Sequence, residues 1–232
     1  MADDDPDPTT DGLNEHTPEA LERAMSLDGD PAALSRYYAD WAATYDRDVG
    51  IDAEDDYGLP GSMLATLDAA MAAVPALADP DLPILDAGCG TGRVGAALAA
   101  RGYRVIDGID LSPEMVSVAE GLGIYRRLEA GIDLTVSPPA AWRRTAALVT
   151  VGGVFTVGHI PPEALYTVAE LVRPGGVLVL SVRSGYWDTT DFPAVAEAFV
   201  ATGTAELLAR FDALPYTADA TGRYLAYRIN DR

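Results

Sequence analysis

Residues 84–95 read Ile84-Leu85-Asp86-Ala87-Gly88-Cys89-Gly90-Thr91-Gly92-Arg93-Val94-Gly95, and their reading decides the fold. Leu82, Ile84 and Leu85 form a short apolar run without polar alternation, the pattern of a strand buried on both faces. The run breaks into glycines, which accept positive φ and close backbone approach at least cost. From Arg93 onward Val94, Ala97 and Leu98 fall on one side of a helix. A strand, a glycine turn and a helix N-terminus in that order form a binding place for an adenosine-bearing cofactor at the carboxyl edge of a parallel sheet.

Two cofactor classes use such a turn. Gly90-Thr91-Gly92-Arg93-Val94-Gly95 satisfies the G-x-G-x-x-G dinucleotide pattern, with Asp110 about 20 residues on, where a ribose-binding acid is expected. The overlapping Asp86-x-Gly88-x-Gly90-x-Gly92 resembles the first motif of class I S-adenosylmethionine methyltransferases. Asp86 favours that second pattern. A carboxylate there works against a diphosphate but can orient the ammonium of a methionine tail.

The chain has 232 residues, enough for one α/β domain with a cap. It has no apolar run of about 18 residues and no basic-then-apolar start, so a cytoplasmic protein without a membrane anchor is expected. Cys89 is the single cysteine, which excludes an internal disulfide and a cysteine-rich metal or iron–sulfur site. Between two glycines it reads as a small residue in a tight space. The net charge is −20 and all 16 basic residues are arginine. A surface so acidic repels nucleic acid and anionic membrane, leaving a small molecule as the expected partner.

Residues 1–16 are polar, acidic and proline-containing, the composition of a disordered tail. Thr17-Pro18-Glu19 and Asp30-Pro31 each carry the cap and first-turn proline of a helix start. The second helix puts Leu34, Tyr37, Tyr38, Trp41 and Tyr45 on one aromatic face, either plain packing or a lid. Another helix spans 61–74, so residues 17–80 read as a helical cap on a domain of residues 81–232. Further strands are expected at 104–110, 124–128, 146–151 and 177–182, with Gly152-Gly153 closing the fourth strand into a loop. Helices are expected after Ser112-Pro113, from Pro161-Pro162 to Val172, and at 192–200. Residues 205–213 and 224–229 read as two strands with no helix between them, an antiparallel hairpin. The expected fold is α/β: a Rossmann-like, mostly parallel seven-stranded sheet with helices on both faces and that hairpin at its C-terminal end.

Asp110, ending the second strand beside the first, is placed to accept from both ribose hydroxyls. Leu111 follows it, and Met115 one turn later faces either the adenine or the core. Asp133, flanked by Ile132 and Leu134, is placed to accept from the adenine amino group. His159 is the candidate general base, since imidazole titrates near neutrality and the residue lies at the sheet's carboxyl edge. It reads equally as a structural cap for the helix at Pro161. Arg183 ends the fifth strand at that edge, suited to a carboxylate substrate or to a buried ion pair. Tyr186 and Trp187 beyond it suit an aromatic wall.

Asp86 to Gly92, Asp110-Leu111-Ser112-Pro113-Glu114-Met115, Asp133-Leu134 and Arg173-Pro174-Gly175-Gly176 together resemble successive motifs of the class I methyltransferases over residues 84–183. Three flanking stretches are similar to a narrower, methyltransferase-like branch that includes the Williams–Beuren critical-region protein. They are Tyr38-Ala39-Asp40-Trp41-Ala42-Ala43-Thr44-Tyr45-Asp46-Arg47-Asp48-Val49, Gly153-Val154-Phe155-Thr156-Val157-Gly158-His159 and Ser181-Val182-Arg183. The resemblance implies S-adenosyl-L-methionine as cofactor, no metal, and a small-molecule methyl acceptor. It further implies cofactor contacts from Gly88, Gly90, Gly92 and Gly153, with Tyr37, Tyr38 or Tyr45 closing over the site. One departure stands out: Arg144-Thr145-Ala146-Ala147 enters the fourth strand where the family carries an acid or a tyrosine–aspartate pair. A repositioned loop at Trp142, Arg143 and Arg144 follows, and bears most on Asp133. Ser137-Pro138-Pro139-Ala140 is a chance likeness to the Ser-Pro-Pro-aromatic element of nucleic-acid methyltransferases, since it lacks the aromatic residue and precedes the fourth strand.

Overall fold

A computed structural model describes residues 23–48, 58–217 and 220–231. The acidic tail, the helix start at Thr17 and the acids at 52 and 54–56 lie outside the described residues. One sheet organises the rest. Its strands are β1 (Ile84–Ala87), β2 (Ile106–Asp110), β3 (Arg127–Ala130), β4 (Ala146–Phe155), β5 (Val172–Arg183), β6 (Ala205–Thr217) and β7 (Ala220–Ile229). Their order across the sheet is β3-β2-β1-β4-β5-β7-β6. β1 to β5 pair in parallel, whereas β7 runs antiparallel to both β5 and β6. The seven strands, the parallel majority and the terminal hairpin are those expected from the pattern of residues.

Period-two alternation sends successive β1 side chains to opposite faces. Leu85 and Ala87 join Val149, Val151, Leu178, Leu180 and Tyr227 on one side, where α6 (Ala164–Ala169), α7 (Ser184–Thr189) and α8 (Phe192–Ala201) pack. Ile84 joins Ile106, Leu148, Val177, Val179 and Tyr224 on the other. That face is covered by α3 (Leu59–Met71) and α4 (Arg93–Ala100). α3 buries Leu59, Met63 and Leu67 against the sheet, so this stretch of residues 17–80 is built into the core.

The cap proper is α1 (Pro31–Trp41) and α2 (Tyr45–Asp48). Asp30 starts α1 by accepting from the Ala32 amide, and Pro31 occupies the first turn, where its missing N–H costs nothing. Trp41 and Ala24 are the buried centre of a small separate cluster, with Tyr37, Tyr38 and Tyr45 packed on it. α1 also rests on α5 (Pro113–Glu120). Ser112 caps α5 through the Met115 amide, as its position before Pro113 implies.

Several boundaries differ from expectation. β3 begins at Arg127 because Tyr125 turns inward: its ring fills the space beside Gly95 and Gly108. β4 does not end at Gly152-Gly153 but continues to Phe155 through a bulge between Val151 and Phe155. Gly153 takes φ +80° there and its amide donates to Ser181 Oγ at 3.0 Å. The bulge re-aims the strand end without ending the pairing. The helix expected from Pro161 to Val172 is only α6, since Val172 is drawn into pairing with Ala146. Finally, the hairpin strands are each longer than expected, and residues 184–189, for which no element is expected, form α7.

Candidate functional site

The carboxyl ends of β1, β2 and β4 open onto a cleft enclosing about 980 Å³ of atom-free space, its mouth included. Gly88, Cys89, Gly90 and Thr91 form one wall, Asp110, Leu111 and Met115 another, and Ile132 to Thr135 a third. Gly152, Gly153 and Val154 line it from the β4 bulge, and His159 and Ile160 from the loop beyond. Pro31, Leu34, Tyr38 and Tyr45 form the roof. Ten of the residues expected at the site therefore meet in one cavity: Tyr45, Gly88, Gly90, Asp110, Leu111, Met115, Asp133, Leu134, Gly153 and His159.

The glycine turn is shaped for a ligand at one point and for packing at others. Gly90 takes φ +52° and a Cβ there would meet nothing within 4 Å, so this part of the turn faces open space. Gly88 is held by its neighbours: a Cβ would lie 2.4 Å from Val154 Cγ2. Gly92 does not line the cleft. Its φ of +92° starts α4, and a Cβ would press on Leu122 and Tyr125. The role the structure shows for it is packing and the start of that helix.

Asp86 lies deeper still, beneath the turn. Register sets Asp86 beside Thr150, whose hydroxyl donates to Oδ1 at 2.8 Å. Oδ2 accepts from the Tyr125 hydroxyl at 2.8 Å and from the Gly95 amide at 3.1 Å. The carboxyl group is 1 % exposed and absent from the cleft wall, and in that place it ties β1, β4 and α4 together. Burial pushes its pKa up to about 6, against the three hydrogen bonds that favour the anion.

Asp110 differs in kind, because it borders the cleft. Oδ2 accepts from the Gly90 amide and Oδ1 from the Ser112 amide, both at 2.8 Å. The carboxylate thus braces the turn and the α5 cap, and each oxygen retains a second lone pair. Burial raises its pKa despite these amides. Asp133 folds its own loop by accepting from the Thr135 amide and hydroxyl. Beneath it, Trp142 is buried with Ile132 and Leu134, its indole donating to Glu129 and its ring carrying the Arg127 guanidinium at 3.9 Å. The loop that departs from the family pattern thus closes under residues 132–134, with Arg144 at φ +55°.

In the roof, the Tyr38 hydroxyl lies 2.6 Å from His159 Nε2, and His159 Nδ1 lies 3.0 Å from the Val157 carbonyl. A carbonyl only accepts, so Nδ1 carries the proton and Nε2 receives the one from Tyr38. Burial, aided by the positive charge of Arg183, brings the His159 pKa down to about 4 although the Val157 bond opposes it. Tyr37 lies off the cleft, edge-on to Tyr38 and Trp41. Tyr186 and Trp187 wall no part of it. Tyr186 is buried and donates to the Ile160 carbonyl, and Trp187 lies between the guanidiniums of Arg210 and Arg223. Cys89 lines the cleft, but burial raises its thiol far above the thiolate range.

A low folded pKa for His159 has a stability consequence. Unfolded, the ring binds a proton near pH 6.5; folded, only near 4, so its contribution is complete above pH 6.5 and is lost as pH falls. Replacing His159 by Gln removes that loss. The stability of the variant relative to the parent should rise by ~2 kcal/mol between pH 7.5 and 5, read from urea unfolding at both pH values.

One functional residue escaped the sequence reading. Asp46 accepts from the Thr91 hydroxyl at 2.7 Å and pairs with Arg93, fastening α2 to the glycine turn. It stands beside Tyr45, in a segment whose aromatic spacing is the stronger local signal. Among the described residues no group of three acids, histidines or cysteines suits a metal, and no helix is long and apolar enough to cross a membrane.

Residues 84–176 match the family described as "Methyltransferase domain". With the sheet order above, that decides the matter. Residues 84–176 are a class I, S-adenosylmethionine-dependent methyltransferase domain. The dinucleotide reading of its glycines gives way, since a dinucleotide fold repeats parallel crossovers, whereas the strands that follow residue 176 close this sheet with an antiparallel pair. Human methyltransferase-like protein 27 is 32 % identical over 169 residues, which are 72 % of this chain and 65 % of that protein. The ubiquinone biosynthesis O-methyltransferase of Xylella fastidiosa is 35 % identical over 106 residues, 42 % of this chain and 40 % of its own. The chain thus spans less than two thirds of either relative. In fold, the domain and its flanks superpose on magnesium protoporphyrin IX methyltransferase from Synechocystis with a TM-score of 0.62 at 18 % identity, covering 87 % of this chain and all of that one. A TehB-like methyltransferase from Corynebacterium glutamicum gives 0.57 at 23 %, covering 83 % and 98 %.

Proposed function

We propose that this protein moves the methyl group of S-adenosylmethionine to a small-molecule acceptor bound under the Tyr38–Tyr45 roof. The observation that carries this reading is one cleft joining the open face of Gly90, the Asp110 carboxylate and the 132–134 loop beneath an aromatic cap. In this reading Asp110 accepts from the ribose hydroxyls, Asp133 and Leu134 border the adenine with Met115, and Gly88 to Gly90 and Gly153 approach the amino-acid tail. The cap is the stretch ending at Asp48, and Tyr45 is its cofactor-side ring. The flanking segments support membership of the methyltransferase-like branch, and the named activity of the ubiquinone-pathway relative supports a small, non-polymeric acceptor. A net charge of −20 argues against nucleic acid as acceptor.

The sulfonium methyl is already activated, so the chain's main task is alignment, worth roughly 7–11 kcal/mol when the contact is near-attack. Where the acceptor carries a proton, a role for His159 as base runs through Tyr38, whose hydroxyl already occupies Nε2. Tyr38 Oη takes the acceptor's proton as its own passes to His159. The test is calorimetric titration with S-adenosylhomocysteine and with NAD, followed by S-adenosylhomocysteine release from S-adenosylmethionine with a panel of phenols, amines, thiols and acids. Binding of S-adenosylhomocysteine alone with acceptor-dependent release is the expected result. Binding without release for any acceptor marks a cofactor-binding protein without transfer activity, and binding of NAD alone overturns the reading.

A further inference from the structure

Behind the cleft wall formed by His159 and Gly153 lies a cation without an anion. Arg183 ends β5 and is 4 % exposed. Among the described residues no carboxylate pairs with it, and its one side-chain hydrogen bond goes to the thioether of Met25, 3.4 Å from Nη1. Thioether sulfur is a weak acceptor, and a guanidinium withdrawn from water without a counter-charge is among the costlier arrangements in a protein. The other arginine at the cleft, Arg93, is already matched by Asp46.

The surroundings of Arg183 are neutral and polar. Its charge acts on the His159 ring and on the Tyr216 hydroxyl. The Ser181 hydroxyl, which receives the Gly153 amide, also acts on the Tyr216 hydroxyl. A Cβ on Gly153 would lie 3.8 Å from Tyr216 Oη, so the polar pocket and the cleft wall adjoin. Met25 closes the far side, its backbone carbonyl resting on Gly158 so closely that no side chain fits there.

The geometry points to Arg183 as the anion-binding residue of the acceptor site, and to an acceptor that carries a carboxylate, seated on the guanidinium in place of the Met25 sulfur. One cation with neutral hydroxyl and imidazole neighbours matches a single negative charge. A phosphate dianion would leave a charge unbalanced. Tyr216 beside it, with Tyr38 and Tyr45 lining the adjoining cleft, suits an acid with a planar body. An anion on Arg183 also cancels the field that acts on His159, so acceptor binding makes that ring a better terminal proton acceptor. This inference rests on the methyl-transfer reading and assigns the acceptor's end of that same site.

The test uses the full chain saturated with S-adenosylhomocysteine and titrated with benzoate and its neutral isostere, benzamide. Benzoate should bind at least about tenfold more tightly than benzamide. Arg183→Gln should weaken benzoate about tenfold or more while leaving benzamide and S-adenosylhomocysteine unchanged, and Arg183→Lys should restore part of the loss. Met25→Ala, which uncovers the guanidinium, should tighten benzoate and covers the case in which Arg183→Gln fails to fold. Equal binding of the two probes, no benzoate binding by the parent, or indifference to both substitutions overturns the assignment. Failure of the parent to bind S-adenosylhomocysteine overturns the methyl-transfer reading instead.

Discussion

Asp110→Ala should weaken S-adenosylhomocysteine binding about 100-fold or more, alongside a stability loss of ~1–3 kcal/mol for each amide that finds no other acceptor. The carboxylate borders the cleft at the end of β2 and offers a second lone pair on each oxygen. Two charge-assisted bonds to vicinal hydroxyls contribute ~1.5–3 kcal/mol each, and ~1.4 kcal/mol is tenfold in affinity. The variant also frees the Gly90 amide, so the turn that shapes the tail pocket loses its brace. Asp110→Asn separates the two effects, since its carbonyl can keep one amide while the charge is gone. Calorimetry gives the affinity, and the melting temperature shows whether the fold survives. Affinity within about threefold of the parent would remove Asp110 from the cofactor site.

Asp86→Ala should act on stability instead. It leaves the Thr150 and Tyr125 hydroxyls and the Gly95 amide without their acceptor, at ~1–3 kcal/mol for each donor that finds no substitute. Removing a buried, partly ionised carboxyl offsets part of that, so a net loss of ~2–4 kcal/mol at pH 7 is expected. The pH dependence identifies the cause. The folded pKa of about 6 lies above the unfolded value of 3.8, so the carboxyl contributes its stability at low pH and loses it as pH rises through 6. The parent therefore gains ~1.4 kcal/mol over the variant between pH 7 and pH 5, and the gap widens on acidification. Urea unfolding at the two pH values measures it. A gap that narrows, or a variant as stable as the parent, would show that Asp86 does not hold these elements together.

These two acids show how far the residues alone could be read. Asp110 was legible because two local patterns coincide on it, a strand end and a capped helix start, and both concern adjacent residues. Asp86 satisfies the same kind of motif, yet its partners come from 9, 39 and 64 positions away. Nothing in the local pattern says that Tyr125 turns back to fill the space beside Gly95, and that inward turn also shifts β3. Gly152-Gly153 misled for a related reason: glycines that end an isolated strand can, beside Ser181, form a bulge in a continuing one. The topology was safer, because the missing helix between the last two strands leaves an antiparallel pair as the only short connection. Met25 against Arg183 was out of reach, being a contact across 158 positions between types with no pairing rule.

The bridge from Asp46 to Thr91 and Arg93 ties the short helix that bears Tyr45 to the glycine turn. Tyr45, Thr91 and Arg93 all line the one cleft, so this linkage fastens its roof to its floor. Under the methyl-transfer reading, two molecules held between roof and floor draw on that shared fastening, and by thermodynamic reciprocity whatever one adds to the other's affinity it receives in return.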